Sequence, residues 1–131
     1  VVVVVVAEPT SFMDAYAVIK AAHFEHKLQN FSIVINMAKD GVEALKSFEK
    51  FRDIAMRFLD VNLTFVGHVP FSAPMRQSVV QRKPLLATNS NTPEKELLAF
   101  KSLSQKILKC PMNTYDGIRF FGNNSVLKEI V

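Results

Sequence analysis

Residues 1–7 read VVVVVVA, and two later stretches share their character: residues 31–36 (FSIVIN) and 63–69 (LTFVGHV). Each is too short for a helix, rich in β-branched side chains, without strict alternation, and closed by turn or polar residues. Runs of this kind read as strands buried on both faces, which implies parallel pairing. Between the first two, Pro9, Thr10 and Ser11 precede residues 12–26, where Ala15, Val18, Ile19, Ala22 and His26 recur at helical spacing. Thr10 or Ser11 is the expected N-cap, with Asp14 placed to suit the positive end of that helix. Between the second and third, Val42, Leu45, Phe48, Ala55, Phe58 and Leu59 mark another helix, opened by Asp40 and Gly41. The resulting β-α-β-α-β order calls for right-handed crossovers and puts the carboxyl ends of all three strands along one rim.

Beyond Pro70 the chain changes. Ser72, Pro74 and Pro84 bracket a short helix carrying Met75, Val79 and Val80, and residues 87–93 (ATNSNTP) form a polar loop. Thr92, Pro93 and Glu94 open a last helix whose apolar stripe is Leu97, Phe100, Leu103 and Ile107, ending near Cys110 and Pro111. Residues 1–110 thus make one α/β unit, and residues 111–131 a separate tail.

With 131 residues, 49% hydrophobic and 21% charged, the chain has the composition of a single globular domain. Its one cysteine, Cys110, makes an internal disulfide impossible, and the lack of a CxxC or a nearby Cys/His companion argues against a zinc site. The longest apolar run is residues 1–7, far short of the roughly 20 residues of a membrane-spanning helix. The net charge is +4, carried by the second part: residues 1–60 hold 7 basic and 8 acidic side chains, residues 61–131 hold 9 and 4. Such a field suits an anionic partner. Because a core strand opens the chain, it reads as the rear half of a larger domain. Residues 1–6, uncharged and proline-free, would then be prone to aggregate in isolation.

Three motifs, in order, carry a family resemblance. They are Glu8-Pro9-Thr10-Ser11 with Asp14-Ala15-Tyr16, then Val34-Ile35-Asn36-Met37, then Gly67-His68-Val69-Pro70-Phe71. Over residues 1–108 the chain resembles the second half of the MinD/ParA class of P-loop ATPases, and within it most resembles the flagellar-number regulators of the FlhG type (MinD-like, YlxH). The resemblance implies a three-layer α/β/α parallel sheet, P-loop NTPase-like, with the half bearing Walker A missing. No GxxxxGK[ST] can be written from Gly41, Gly67, Gly117 and Gly122. The expectation is that this chain alone has no catalytic residues, resident metal or tightly held cofactor, whereas the intact protein binds ATP and Mg as a nucleotide-bridged homodimer.

The resemblance also implies roles for particular residues. Asn36 would meet the adenine edge, since a carboxamide accepts from the N6 amino group and donates to a ring nitrogen; an Asn at a strand end also serves simply as a turn residue. Val69, Pro70 and Phe71 would close the other side of the base. Glu8, Pro9, Thr10 and Asp14 would face the dimer partner or regulatory proteins, flagellar regulatory or assembly proteins among them. Asp14 in the first turn of a helix would equally stabilise that helix with no partner. In the tail, Ile118, Phe120, Phe121, Leu127 and Ile130 have the makings of an interfacial anchor on anionic membrane, interrupted by Gly122-Asn123-Asn124. That would make the protein cytoplasmic and peripheral at the inner face of the cell membrane. Nucleic acid is not an expected partner, because basic and aromatic residues are not interleaved. His23 and His26 lie three apart on one helix without an evident third ligand and read as ordinary helix positions. The rival reading is a non-catalytic α/β interaction module, either a degenerate ATPase half or a receiver-like domain. The receiver is disfavoured because the first strand ends in Ala7-Glu8 and the second in Asn36, with no acidic cluster.

Overall fold

All three expected strands form and pair in parallel. The protein, described here from a computed structural model that covers residues 1–87 and 93–110, runs β1 (Val2–Val6), α1 (Pro9–His26), β2 (Asn30–Ala38), α2 (Gly41–Met56), β3 (Asn62–Pro70), α3 (Ala73–Gln81) and α4 (Glu94–Leu108). The sheet order is β1-β2-β3. Val5 is registered with Ile35 and Val6 with Asn36 on one side of β2, and Ile35 with His68 and Ala38 with Pro70 on the other.

A right-handed crossover between adjacent strands, made twice in the same direction, puts both connecting helices on one face. The core lies there. Val3, Val5, Ile33 and Ile35 from the sheet meet Ala15, Ile19 and Ala22 of α1 and Ala44, Phe48, Phe51 and Ala55 of α2. Ring contacts stitch the layer: Phe12 and Phe51 have centroids 5.5 Å apart, Phe48 and Phe65 5.3 Å. On the opposite face α4 packs against β3, completing the third layer over part of the sheet. Gly67 permits that approach, because a Cβ there would lie 3.2 Å from Leu103 Cδ1.

Double burial holds for β2, where Ile33, Val34 and Ile35 are consecutively buried, but not for β1, which alternates exposed and buried. Among the described residues β1 has one neighbour, β2, so the expectation of neighbours on both sides is not met within them. Val4 remains 58% exposed. An uncovered, uncharged edge of this kind is the aggregation hazard that charged or covered edges avoid.

The helix starts differ from the expected ones. Pro9 occupies the first turn of α1, so the N-cap moves back to Glu8, which makes no side-chain cap bond. A proline there costs no hydrogen bond and presets φ. Ser11 instead accepts from the Val6 N–H at 2.9 Å, tying the helix to the end of β1. Asp14 therefore falls past the first turn, which holds no acidic residue. In α2 the cap is Asp40, whose carboxylate accepts from the Glu43 N–H at 2.8 Å while Glu43 accepts from the Lys39 N–H. This is close to a reciprocal capping box. The Glu43 N–H bond holds the Asp40 carboxyl below its usual value of 3.8, helped by the Val42 N–H and by the charges of Lys39 and His68. A lowered folded-state pKa contributes stability above the ordinary value and loses it as pH falls through the folded one. Asp40→Ala is therefore expected to lower the melting temperature at pH 7. The gap to wild type should close as the pH drops below about 3.8, measured by thermal unfolding across pH.

The buried helix faces are also shifted from the expected ones. In α2 the sheet meets Ala44, Ser47, Phe48, Phe51 and Ala55, leaving Val42 and Leu45 exposed, as is Phe58 in the turn after the helix. Small Ala44 and Ser47 let the axis approach the strands, and the two phenylalanines fill the space beside it. In α4 the stripe Phe100, Leu103 and Ile107 is only half-buried and Leu97 about half-exposed. The buried residue of that helix is Glu96. One of its oxygens accepts the Ser72 hydroxyl at 2.7 Å, and the other has no hydrogen-bond partner among the described residues.

Candidate functional site

The rim formed by the strand ends brings together the residues proposed to meet a base. Asn36 lies two residues before the end of β2, which runs on past the expected strand end, and is half-buried; its side-chain oxygen accepts from the Met37 N–H at 2.9 Å. Met37 takes a left-handed φ of 58°, unusual for a side chain of its size. The ladder is irregular there, with a shift between Ile35 and Ala38. Ala38 then pairs with Pro70, and the Phe71 N–H donates to the Ala38 carbonyl at 2.8 Å. Asn36 and the Val69-Pro70-Phe71 step thus belong to adjacent strands, with Asn36 two residues before the Ala38–Pro70 pair. Phe71 is 53% exposed, Val69 half-buried and Pro70 buried. The enclosed space beside Pro70, however, is lined by neither Asn36, Val69 nor Phe71.

The larger concavity lies elsewhere, on the helical layer. A groove of about 930 Å³ runs between α1 and α2, starting at Glu8 and Pro9, and is lined along α1 by Phe12, Met13, Tyr16 and Lys20, along α2 by Lys50 and Ile54, and by Phe58 in the turn after α2. Met13 and Phe58 are each 72% exposed. Of the residues expected to face a partner, Glu8 and Pro9 line this groove; Thr10 and Asp14 are exposed on α1 but do not. Met13, Tyr16, Ala17 and Lys20 fall at steps of three, one and three, and Lys50, Ile54 and Phe58 at four and four. Those are helical repeats one strip away from the core stripe. Two such strips facing each other were the sequence signal, masked because Phe58 matched the core spacing as well.

The groove can hold an apolar segment by burying exposed Met13, Ile54 and Phe58, while Lys20 and Lys50 offer two ammonium groups at its margin. Apolar floors with charged rims are the usual anatomy of protein interfaces. Neither the groove nor the rim contains a nucleophile–base pair. His23 is spoken for: its Nδ1 lies 2.8 Å from the Leu28 carbonyl oxygen at the end of α1. Among the described residues no group of three His, Cys, Asp or Glu could hold a metal ion, and no helix is long and apolar enough to cross a membrane. The proposed anchor residues Ile118, Phe120, Phe121, Leu127 and Ile130 lie outside the described residues.

No known protein-family model matches the chain. It is, however, 35% identical over 123 residues to the antiactivator FleN of Pseudomonas aeruginosa, an alignment that takes in 92% of this chain and 43% of that protein. The chain thus spans less than half the length of the relative it matches, the carboxyl-terminal portion. The motif order, the parallel α/β sheet and this identity point the same way: the chain resembles the MinD/ParA class of P-loop ATPases and is similar to the carboxyl-terminal portion of FleN.

Proposed function

We propose that this chain is the partner-binding and base-recognising portion of a MinD-like ATPase that limits flagellar number, acting as an antiactivator does, by occupying a protein that would otherwise promote assembly. The observation that carries the reading is the α1–α2 groove, present in a chain similar to an antiactivator over 92% of its length. An activator segment with apolar anchors and an acidic flank fits it, because Met13, Ile54 and Phe58 offer apolar contact and Lys20 and Lys50 positive charge. The test is binding of that activator to the groove variant Phe58→Asp, developed below.

Adenine recognition belongs to the same proposal. In the intact protein ATP and Mg bridge two protomers, with Asn36, Val69, Pro70 and Phe71 around the base and Glu8, Pro9, Thr10 and Asp14 on or beside the partner-facing side. Dimerisation would raise the avidity of any membrane contact made through the tail, at the cytoplasmic face of the cell membrane. Support for the base site is the placement of Asn36 beside the Ala38–Pro70 pair. Asn36→Ala in the intact protein is expected to weaken ATP binding about tenfold, the loss of one or two hydrogen bonds to a buried base edge. The fold should be kept, since among the described residues the Asn36 side chain bonds its own neighbour, the Met37 N–H. Nucleotide titration by fluorescence decides it: unchanged affinity would remove Asn36 from the site.

A further inference from the structure

A second concavity, independent of the α1–α2 groove, lies beside the last strand. β3 ends the sheet, with β2 as its one neighbour among the described residues. A cleft of about 390 Å³ is lined by Gly67, His68 and Pro70 of β3, by the Lys39-Asp40-Gly41 turn before α2, and by Lys95, Leu103 and Lys106 of α4. The turn leads into the helix on one face of the sheet, and α4 packs on the other. With β2 closing the inner side, a cleft touching both lies around the outer edge of β3.

We infer that this cleft receives an acidic, extended peptide that adds to the outer edge of β3 as a further strand. An end strand offers unpaired backbone donors and acceptors, which proteins cover or which partners pair with. Charge selects the partner. Three lysines line the cleft against one carboxylate, Asp40, and that carboxylate already caps α2 by accepting from the Glu43 N–H. Spacing selects the length. Lys95 and Lys106 are eleven residues apart on α4, about 16 Å along a helix axis, and an extended chain covers that distance in about five residues. In an added strand every second side chain faces α4, so glutamates at alternate positions meet Lys95 and Lys106 and lay their methylenes on Leu103.

The test uses the intact protein and a fluorescein-labelled peptide of about five residues alternating glutamate and valine, followed by fluorescence anisotropy. Saturable binding is expected, weakened at least about tenfold in Lys95→Glu/Lys106→Glu; both side chains are exposed, so the fold should tolerate the change. A peptide alternating glutamate and proline has the same charge but lacks amide donors at its prolines, and it should bind at least about tenfold more weakly. Equal binding of the two peptides would reduce the cleft to a charge patch and overturn strand addition. So would an unaffected double-lysine variant, or no binding at all. Phe58→Asp should leave this binding unchanged, which keeps the outcome separate from that of the α1–α2 groove.

Discussion

Phe58→Asp is expected to abolish binding of the antagonised activator while leaving the fold intact. Phe58 is 72% exposed at the mouth of the α1–α2 groove, so a charge there stays hydrated in the free protein and changes stability by about 0.5 kcal/mol or less. In the complex the same carboxylate would be pressed against the partner's apolar anchors and would repel its acidic flank. Burial of an aromatic anchor is also lost, and such anchors cost about 2–4 kcal/mol when removed from a docking surface. Together these predict affinity reduced by at least about thirtyfold. Lys20→Glu/Lys50→Glu should act differently, weakening association mainly through the encounter rate and most at low salt. Calorimetric titration of the activator into each variant, with circular dichroism to check the fold, separates the two effects. Full affinity in Phe58→Asp would show that the partner docks elsewhere and would remove the groove from the proposed function.

The fold was legible in the sequence because three apolar runs separated by helical periods admit few topologies. Residues 31–36 carry the clearest signal, and β2 is indeed the strand with consecutive buried residues. The rim followed from the same reasoning, since parallel strands must end together; that β2 runs two residues past Asn36, so that Ala38 and not Asn36 pairs with Pro70, was not legible. What periodicity could not decide was which of two adjacent stripes on a helix meets the sheet. In α2 and the turn after it, Phe48 and Ala55 belong to the buried stripe while Val42, Leu45 and Phe58 do not, though all five satisfy three- and four-residue steps. Packing against the strands made the choice, favouring Ala44 and Ser47 where the axis comes close. The groove was missed for the same reason, because an apolar residue on a helix does not announce whether it faces its own core or a partner. Glu96 was invisible for a different one. A glutamate in the first turn reads as a dipole partner in water, and its burial depends on Ser72 arriving from a distant turn to donate to it.

Phe51→Ala is expected to destabilise the protein by about 3–5 kcal/mol, a large part of the about 5–15 kcal/mol that holds a typical domain together. Phe51 is 1% exposed, and its ring lies 5.5 Å from that of Phe12, so it joins α2 to α1 above the sheet. Truncation removes apolar contact and leaves a cavity that Ala44 and Ala55, already small, cannot fill. Phe58, seven residues on and two past the end of α2, provides the internal control. Its replacement by alanine removes the same atoms from an exposed position and should cost about 0.5 kcal/mol or less. Urea unfolding of the two intact variants, followed by tryptophan-independent probes such as circular dichroism, should show a large fall in midpoint for Phe51→Ala and almost none for Phe58→Ala. Comparable losses would mean that α2 is rotated from the phase described here. In that case Phe58 would be a core residue and the groove would lose one wall, so this pair of measurements tests the surface on which the functional proposal rests as well as the packing beneath it.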